Sequence, residues 1–219
     1  MGISSNTIVK NGMPYIGRAL KIALPYVEQM IITLSVKSDE ETIQEVFNIR
    51  SPKVEIYWED VAKKAELTRI ENEQIEHSKG EWIWTLEDDE LWAKEDLEGV
   101  FSYMNEDIDA ISVNPYQMID LNHYDYGFRR KYLTKFFKRE GAYWKKDFPK
   151  NVPYKDGKIL YHKKNERNKV VQEHFFHLPL LKENSFRDEK EWAKKYSYKV
   201  GEAVALSESY SKKLAFLLQ

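Results

Sequence analysis

Hydrophobic positions switch between two spacings along the first hundred residues, and the switching describes strands alternating with helices. Thr7-Ile8-Val9 is a short apolar run that stops at the turn signal Lys10-Asn11-Gly12. Over residues 13–27 the spacing becomes helical: Ile16, Ala19, Leu20, Ala23 and Leu24 share a face, Pro14 stands near the start, and Pro25 ends the run. Gln29-Met30-Ile31-Ile32-Thr33-Leu34 returns to strand character. The polar stretch 35–42 leads into a second helix, with Ser38 or Asp39 as its N-cap and Ile43, Val46 and Phe47 as its apolar face. Residues 52–58 alternate as a third strand, and residues 61–77 carry Ala65, Leu67, Ile70 and Ile75 as a third helix. After the Lys79-Gly80 turn comes a fourth strand, Trp82-Ile83-Trp84-Thr85-Leu86, rich in residues that suit a buried pleat. This order predicts an α/β fold with a mostly parallel central sheet and crossover helices.

Beyond residue 104 the pattern changes. Residues 110–116 and 132–137 read as strands, 141–169 as loops or short hairpins rich in Lys, Asn, Pro and Gly, and 170–178 as a further strand. Residues 185–219 read as a helical tail. The expected organisation is one domain over 1–182, with halves 1–104 and 105–182, and a helical extension over 183–219.

Composition removes several kinds of chemistry. The 219 residues include no cysteine, which excludes disulfides, thiolate metal sites and cysteine nucleophiles. The N-terminal stretch lacks the pattern of a signal peptide, and no window approaches the roughly 18 apolar residues of a membrane span. A cytoplasmic protein is expected. Lys194, Lys195, Lys199, Lys212 and Lys213 beside Trp192 and Tyr196 would suit peripheral contact with the inner face of a membrane.

Charge is divided unevenly. Residues 39–109 hold 22 acids against 7 bases, a balance of −15, whereas 129–169 hold 15 bases against 4 acids, or +11. Such a split suggests either an anionic partner for the basic segment or mutual neutralisation of the two halves. No recognised nucleic-acid motif accompanies the basic residues, so no nucleic-acid partner is expected.

The fourth strand runs into Glu87-Asp88-Asp89-Glu90. Ligands of open α/β sheets bind beyond the carboxyl ends of the strands, and carboxylates placed there suit Mg²⁺ or Mn²⁺ and a substrate diphosphate. The plainer reading is that the acids open a helix continuing through residues 91–97, where they favour the positive end of its dipole.

The first 104 residues resemble glycosyltransferase family 2, a nucleotide-sugar-binding domain of the GT-A fold. The resemblance lies in four stretches: the strand ending at Lys10-Asn11 with its following helix; Ile31-Ile32 leading to Ser38-Asp39-Glu40-Glu41-Thr42; Asn72 ahead of Ser78-Lys79-Gly80; and Gly80 to Glu90, similar to the stretch that ends in the family's Asp-x-Asp motif. Further on, His177-Leu178-Pro179-Leu180-Leu181-Lys182 resembles the family's late His followed by a basic residue, and Phe136 to Trp144 resembles its acceptor-side segment. The sequence departs from the pattern at Ser35 and Lys37, where the family usually has Asp and Gly, at Glu71 in place of Arg, and at Glu87 in place of the first Asp of Asp-x-Asp.

The resemblance implies a metal-dependent, inverting hexosyltransferase acting on a nucleoside-diphosphate sugar, with UDP the expected nucleotide and a glycan or lipid-linked hydroxyl as acceptor. It implies Mn²⁺ or Mg²⁺ on Asp89 and His177, with Glu87 or Asp88 as the second acid. It further implies nucleotide-sugar contacts from Asn11, Ser38, Asp39, Asn72, Asp88 and Lys182, with Arg129 or Arg130 assisting on phosphate charge. Asp147, after the aromatic pair Tyr143-Trp144, is the candidate general base. His174 is three residues from His177 and falls on the opposite face of a regular strand. Two other readings compete: a catalytically idle GT-A-like nucleotide-binding domain, and an anionic-polymer binder using 129–169.

Overall fold

The computed structural model describes residues 2–61, 64–118, 120–125, 132–147, 150–160, 166–178 and 203–219. The elements expected in the first half are present. Strands β1 (Ile3–Val9), β2 (Gln29–Ser35), β3 (Val54–Glu59) and β4 (Trp82–Thr85) are separated by helices α1 (Ile16–Ala23), α2 (Glu40–Phe47) and α3 (Lys64–His77). Two-residue β5 (Glu90–Leu91) and helix α4 (Lys94–Ser102) follow. The second half contributes β6 (Ala110–Gln117), β7 (His123–Asp125), β8 (Leu133–Lys138), β9 (Ala142–Asp147), β10 (Lys150–Lys155), β11 (Lys158–Ile159), β12 (Asn168–His177), β13 (Ala203–Ala205) and α5 (Glu208–Leu217).

An eight-stranded sheet of order β3-β2-β1-β4-β8-β6-β12-β5 forms the centre. The first four strands are mutually parallel, β8 is antiparallel to both its neighbours, β6 and β12 are parallel, and β5 closes the far edge antiparallel to β12. The sheet is therefore mixed, and the order 3-2-1-4 places the ends of β1 and β4 side by side. β2 is buried along its whole length, which its apolar run between two helical layers requires.

Packing behind the acids is aromatic. Trp84 stacks on Phe136 at 5.2 Å, Trp92 stacks on Phe175 at 4.7 Å, and Trp84 meets Trp92 edge-on at 5.7 Å. All four rings are fully buried, giving the strand ends a rigid floor. At the opposite end, Gly80 lies against the backbone of β1: a side chain there would meet Ser4 N at 2.5 Å, and Gly80 N donates to Ser4 Oγ at 2.8 Å.

Two readings are corrected and one is narrowed. The acids do not open a helix: α4 begins at Lys94, and Glu90 is already paired into the sheet edge. Of the loops or short hairpins expected in 141–169, the structure has hairpins: β9, β10 and β11 form a three-stranded antiparallel sheet in which Tyr143 and Trp144 pair with Tyr154 and Pro153. The tail is not wholly helical: Ala203–Ala205 pairs with β7, and among the described residues of the tail the helix is Glu208–Leu217. Trp192, Lys194, Lys195, Tyr196 and Lys199 lie outside the described residues. Lys213 faces inward, donating to Asp96 at 3.0 Å, so it ties α5 to α4 rather than supplying a free surface charge. No described helix is long and apolar enough to cross a membrane.

The charge asymmetry is met in part within the chain. Arg167 binds Asp107 and Asp109 at 2.7 Å, Lys155 binds Asp109 at 3.0 Å, and Lys169 binds Glu106 at 2.9 Å.

Candidate metal and nucleotide-sugar site

Backbone pairing assembles the site. β4 ends at Thr85, the chain turns through Asp88 and Asp89, and Glu90-Leu91 pairs with the end of β12, setting Glu90 opposite His177. Leu178 N donates to Asp89 O at 3.0 Å, and Met118 N donates to His177 O at 2.9 Å, so both chains are fixed where their side chains meet. His177 Nε2 lies 3.4 Å from Asp89 Oδ1 and 3.7 Å from Glu87 Oε2. One donor atom from each of the three residues falls within 4.8 Å of the others.

The donor set fits a divalent cation. Two carboxylates and an imidazole suit Mn²⁺ or Mg²⁺, and adjacent oxygens around such an octahedral ion stand about 3 Å apart. Gln117 Oε1 accepts from His177 Nδ1 at 2.6 Å, which keeps that proton on Nδ1 and leaves the Nε2 lone pair of the neutral ring facing the acids. Burial pulls the His177 pKa down, but Asp89, then Glu87 and Glu90, more than reverse this and hold it above the ordinary histidine value. Without a metal the acids thus attract a proton to the position a cation would take.

Beneath the acids lies a residue that sequence reading passed over. Lys135 Nζ donates to Glu87 Oε1 at 2.8 Å and contacts Glu90 Oε1, with its side chain only 3% exposed. Glu87 is held below the ordinary carboxylate range, chiefly by the Lys135 charge. Burial pushes Glu90 the other way, up to about 8. The Lys135 pKa is lowered by burial but raised further by its two acids, and the ammonium stays charged.

The remaining candidates fall into separate places. Asp88 lies by the loop after β1, where a side chain at Gly12 would meet its Oδ2 at 3.1 Å. Of the two acid pairs the motif allowed, Glu87 and Asp89 are the ones gathered with His177. Asn11, at φ 52°, accepts from Asp39 N at 3.0 Å and joins the loop after β1 to the loop after β2. Asp39 caps α2 by accepting from Thr42 N at 2.7 Å, and Ser38 beside it keeps a buried hydroxyl with no hydrogen-bond partner among the described residues. Asn72 uses both ends of its amide on the Trp144 backbone, donating to its O at 3.1 Å and accepting from its N at 2.6 Å. It joins α3 to β9. Ser35, where the family usually has Asp, accepts from Lys37 N at 3.2 Å, and Lys37 Nζ pairs with Asp60 at 2.7 Å.

His174 lies on the opposite face from His177, because β12 is in regular register with β6 from 174 to 177. It bonds Asn114 O at 2.9 Å and packs edge-on to Tyr116 and Tyr210, under α5. Arg129, Arg130 and Lys182 lie outside the described residues; Asp147 closes β9 in backbone pairing with Lys150, its side chain likewise undescribed.

The profile of glycosyl transferase family 2 matches residues 35–166, well over half of the chain. The chain belongs to that family. No curated protein matches it by sequence. Among solved structures it is similar to residues 1–349 of S. aureus TarS, at 13% identity and TM-score 0.57, covering 100% of this chain and 71% of that one. The same region of TarS in complex with UDP matches at 14% identity and TM-score 0.55, again over 100% and 71%. A longer TarS structure matches at 16% identity and TM-score 0.53, and this chain spans 43% of it. These likenesses establish the GT-A type of fold for this family 2 domain, with the mixed sheet and flanking helices described above. The family and fold make it a glycosyltransferase.

Proposed function

We propose that the domain transfers a hexose from a nucleoside-diphosphate sugar, UDP-linked in the first instance, to a hydroxyl of a glycan or lipid-linked glycan, with inversion at the anomeric carbon. The convergence of Glu87, Asp89 and His177 beyond the strand ends of a family 2 domain carries this reading. Those three would hold Mn²⁺ or Mg²⁺, which when bound supplies Lewis acidity to the diphosphate leaving group.

The protein's own groups do the rest. Gln117 presents the His177 lone pair, and the aromatic floor of Trp84, Trp92, Phe136 and Phe175 keeps the acids from retreating into the core. The loops after β1 and β2, joined through Asn11 and Asp39, border the nucleotide region, where Ser38 and Asp88 are assigned to ribose or diphosphate. Lys182 offsets phosphate charge. Direct displacement needs one carboxylate to take the acceptor hydroxyl's proton, and Asp147 is assigned that role. The anionic-polymer reading is weakened because Lys135, Lys155, Arg167 and Lys169 already pair with the chain's own acids.

The test is thermal unfolding with UDP, GDP, CDP and dTDP, each with and without Mn²⁺. A ligand that binds only the folded state raises the melting temperature by mass action. A shift with one nucleotide that requires Mn²⁺ supports the reading. A shift with none removes it.

A further inference from the structure

The lysine beneath the acids occupies a built irregularity of the sheet. β8 pairs with β6 as Phe136 with Ile111, then as Thr134 with Ser112, so the register skips Lys135. That residue is the extra one of a β-bulge. On the other side of β8, Thr85 Oγ1 donates to Lys135 O at 3.2 Å, fixing the bulge to the last residue of β4, two positions before Glu87. Bulges re-aim side chains and gather near active sites.

The bulge sends a lysine into an almost dry position. Its ammonium lies 5.4 Å from the Phe175 ring centre and touches only one oxygen of Glu87, leaving Oε2 of that carboxylate turned toward His177 Nε2. Glu87 carries one methylene more than the aspartate usual at this motif position, and that methylene adds a rotatable bond. Half of its side chain is open to solvent, so its rotamer depends on the contacts that its carboxylate oxygens make.

We propose that Lys135 is a positioning residue for the metal site: through the bulge it clamps Oε1 of Glu87 and so aims Oε2 at the cation. The proposal rests on the metal reading above. Glu90, on the other side of the same ammonium, acts as its buried partner rather than as a metal ligand, and it also accepts from Glu87 N at 3.3 Å. Glu87 and Lys135 together take the place of the shorter acid. The glutamate provides the reach, and the lysine removes the freedom that comes with it.

The alternative is that Lys135 only balances charge, and the two ideas predict opposite signs. Removing a positive charge next to a cation site strengthens cation binding by Coulomb's law, whereas removing an outer-shell partner that orients a ligand weakens it. The experiment is Mn²⁺ titration of the nucleotide-free protein, followed by electron paramagnetic resonance and calorimetry. Lys135→Met is expected to weaken Mn²⁺ binding roughly 10–100-fold, the usual effect of losing such a partner. In a Glu87→Ala background the same change should have no further weakening effect, because its target is gone. Lys135→Met combined with Glu90→Gln removes both members of the buried pair, so no charge is stranded and the fold is kept even if the single variant unfolds; the weakening must persist there. Equal or tighter Mn²⁺ binding in these folded Lys135 variants overturns the proposal. So does an undiminished affinity in Glu87→Ala alone. If the unaltered protein binds no Mn²⁺, the metal reading itself fails and this inference with it.

Discussion

His177 and Glu90 face each other across the antiparallel pairing of β12 with β5, and this pairing brings the imidazole to Asp89. The two-residue strand is thus the frame of the site. Asp89→Ala and His177→Ala should each leave the fold intact and abolish the Mn²⁺-dependent rise in melting temperature with nucleotide. In the unaltered protein, a ligand at a hundred times its Kd adds about 2.7 kcal/mol to stability. A variant that keeps the full metal-dependent shift would show that its side chain is not a ligand.

Gln117 supplies the acceptor that fixes the His177 tautomer. Gln117→Leu keeps the volume and removes the acceptor, so the ring is free to rotate or to move its proton to Nε2. Mn²⁺ affinity should drop about 10–100-fold by calorimetry. The melting temperature without metal should change far less.

Asn72 is tied to the Trp144 backbone by both ends of its amide. Asn72→Ala should cost about 1–3 kcal/mol through the unsatisfied backbone groups left behind. Hydrogen exchange at the Trp144 amide should accelerate while β1 and β2 stay protected. Unchanged exchange at Trp144 with weakened UDP binding would assign Asn72 to the nucleotide instead.

Gly80 approaches the β1 backbone more closely than any side chain allows. Gly80→Ala must push β1 and β4 apart at their starts, and denaturant unfolding should report a loss of about 1–3 kcal/mol.

Asp109 provides a pH dependence. Burial pushes its carboxyl up, but hydrogen bonds from Arg167 and Lys155 more than reverse this and hold it below the ordinary range. The unfolded chain therefore binds this proton more readily than the folded one. The stabilisation is complete above the unfolded value of about 3.9 and is lost as pH falls through the lower folded value. Asp109→Asn should destabilise the protein at neutral pH and flatten the acid side of its melting-temperature profile. A parallel acid limb in the variant would contradict this.

Much of this was legible in the sequence because the signals were local. The spacing of Ile16, Ala19, Leu20 and Ala23 predicts α1, and the run from Trp82 to the acids predicts a strand that delivers charge to a sheet edge. His177 was found through resemblance, and its parity relative to His174 followed from the period of a strand. The parts that escaped depend on pairing between distant stretches. A lysine between Thr134 and Phe136 looks like an ordinary solvent-facing position, and only the skipped register at Ile111 and Ser112 turns it inward. Glu90 and Leu91 resemble a helix start because a two-residue strand has no period of its own. It exists only through its partners on β12. Tyr143 and Trp144 sit among lysines, glycines and prolines that leave loops and short hairpins equally open, and only cross-strand pairing with Tyr154 and Pro153 selects the hairpin.

The closing strand also makes the site a record of how far the molecule has come in assembling itself. Glu87 and Asp89 emerge early in synthesis, but their imidazole arrives with β12, after β6 and β8 have been laid between β4 and the sheet's far side. A chain that has formed only β1 to β4 carries the acids without His177 and without Lys135. On the proposed metal reading, ion capture would therefore be a late event, reached only when the ends of the sheet's order have been joined through its middle. Ion uptake during refolding would serve as a clock for that last step.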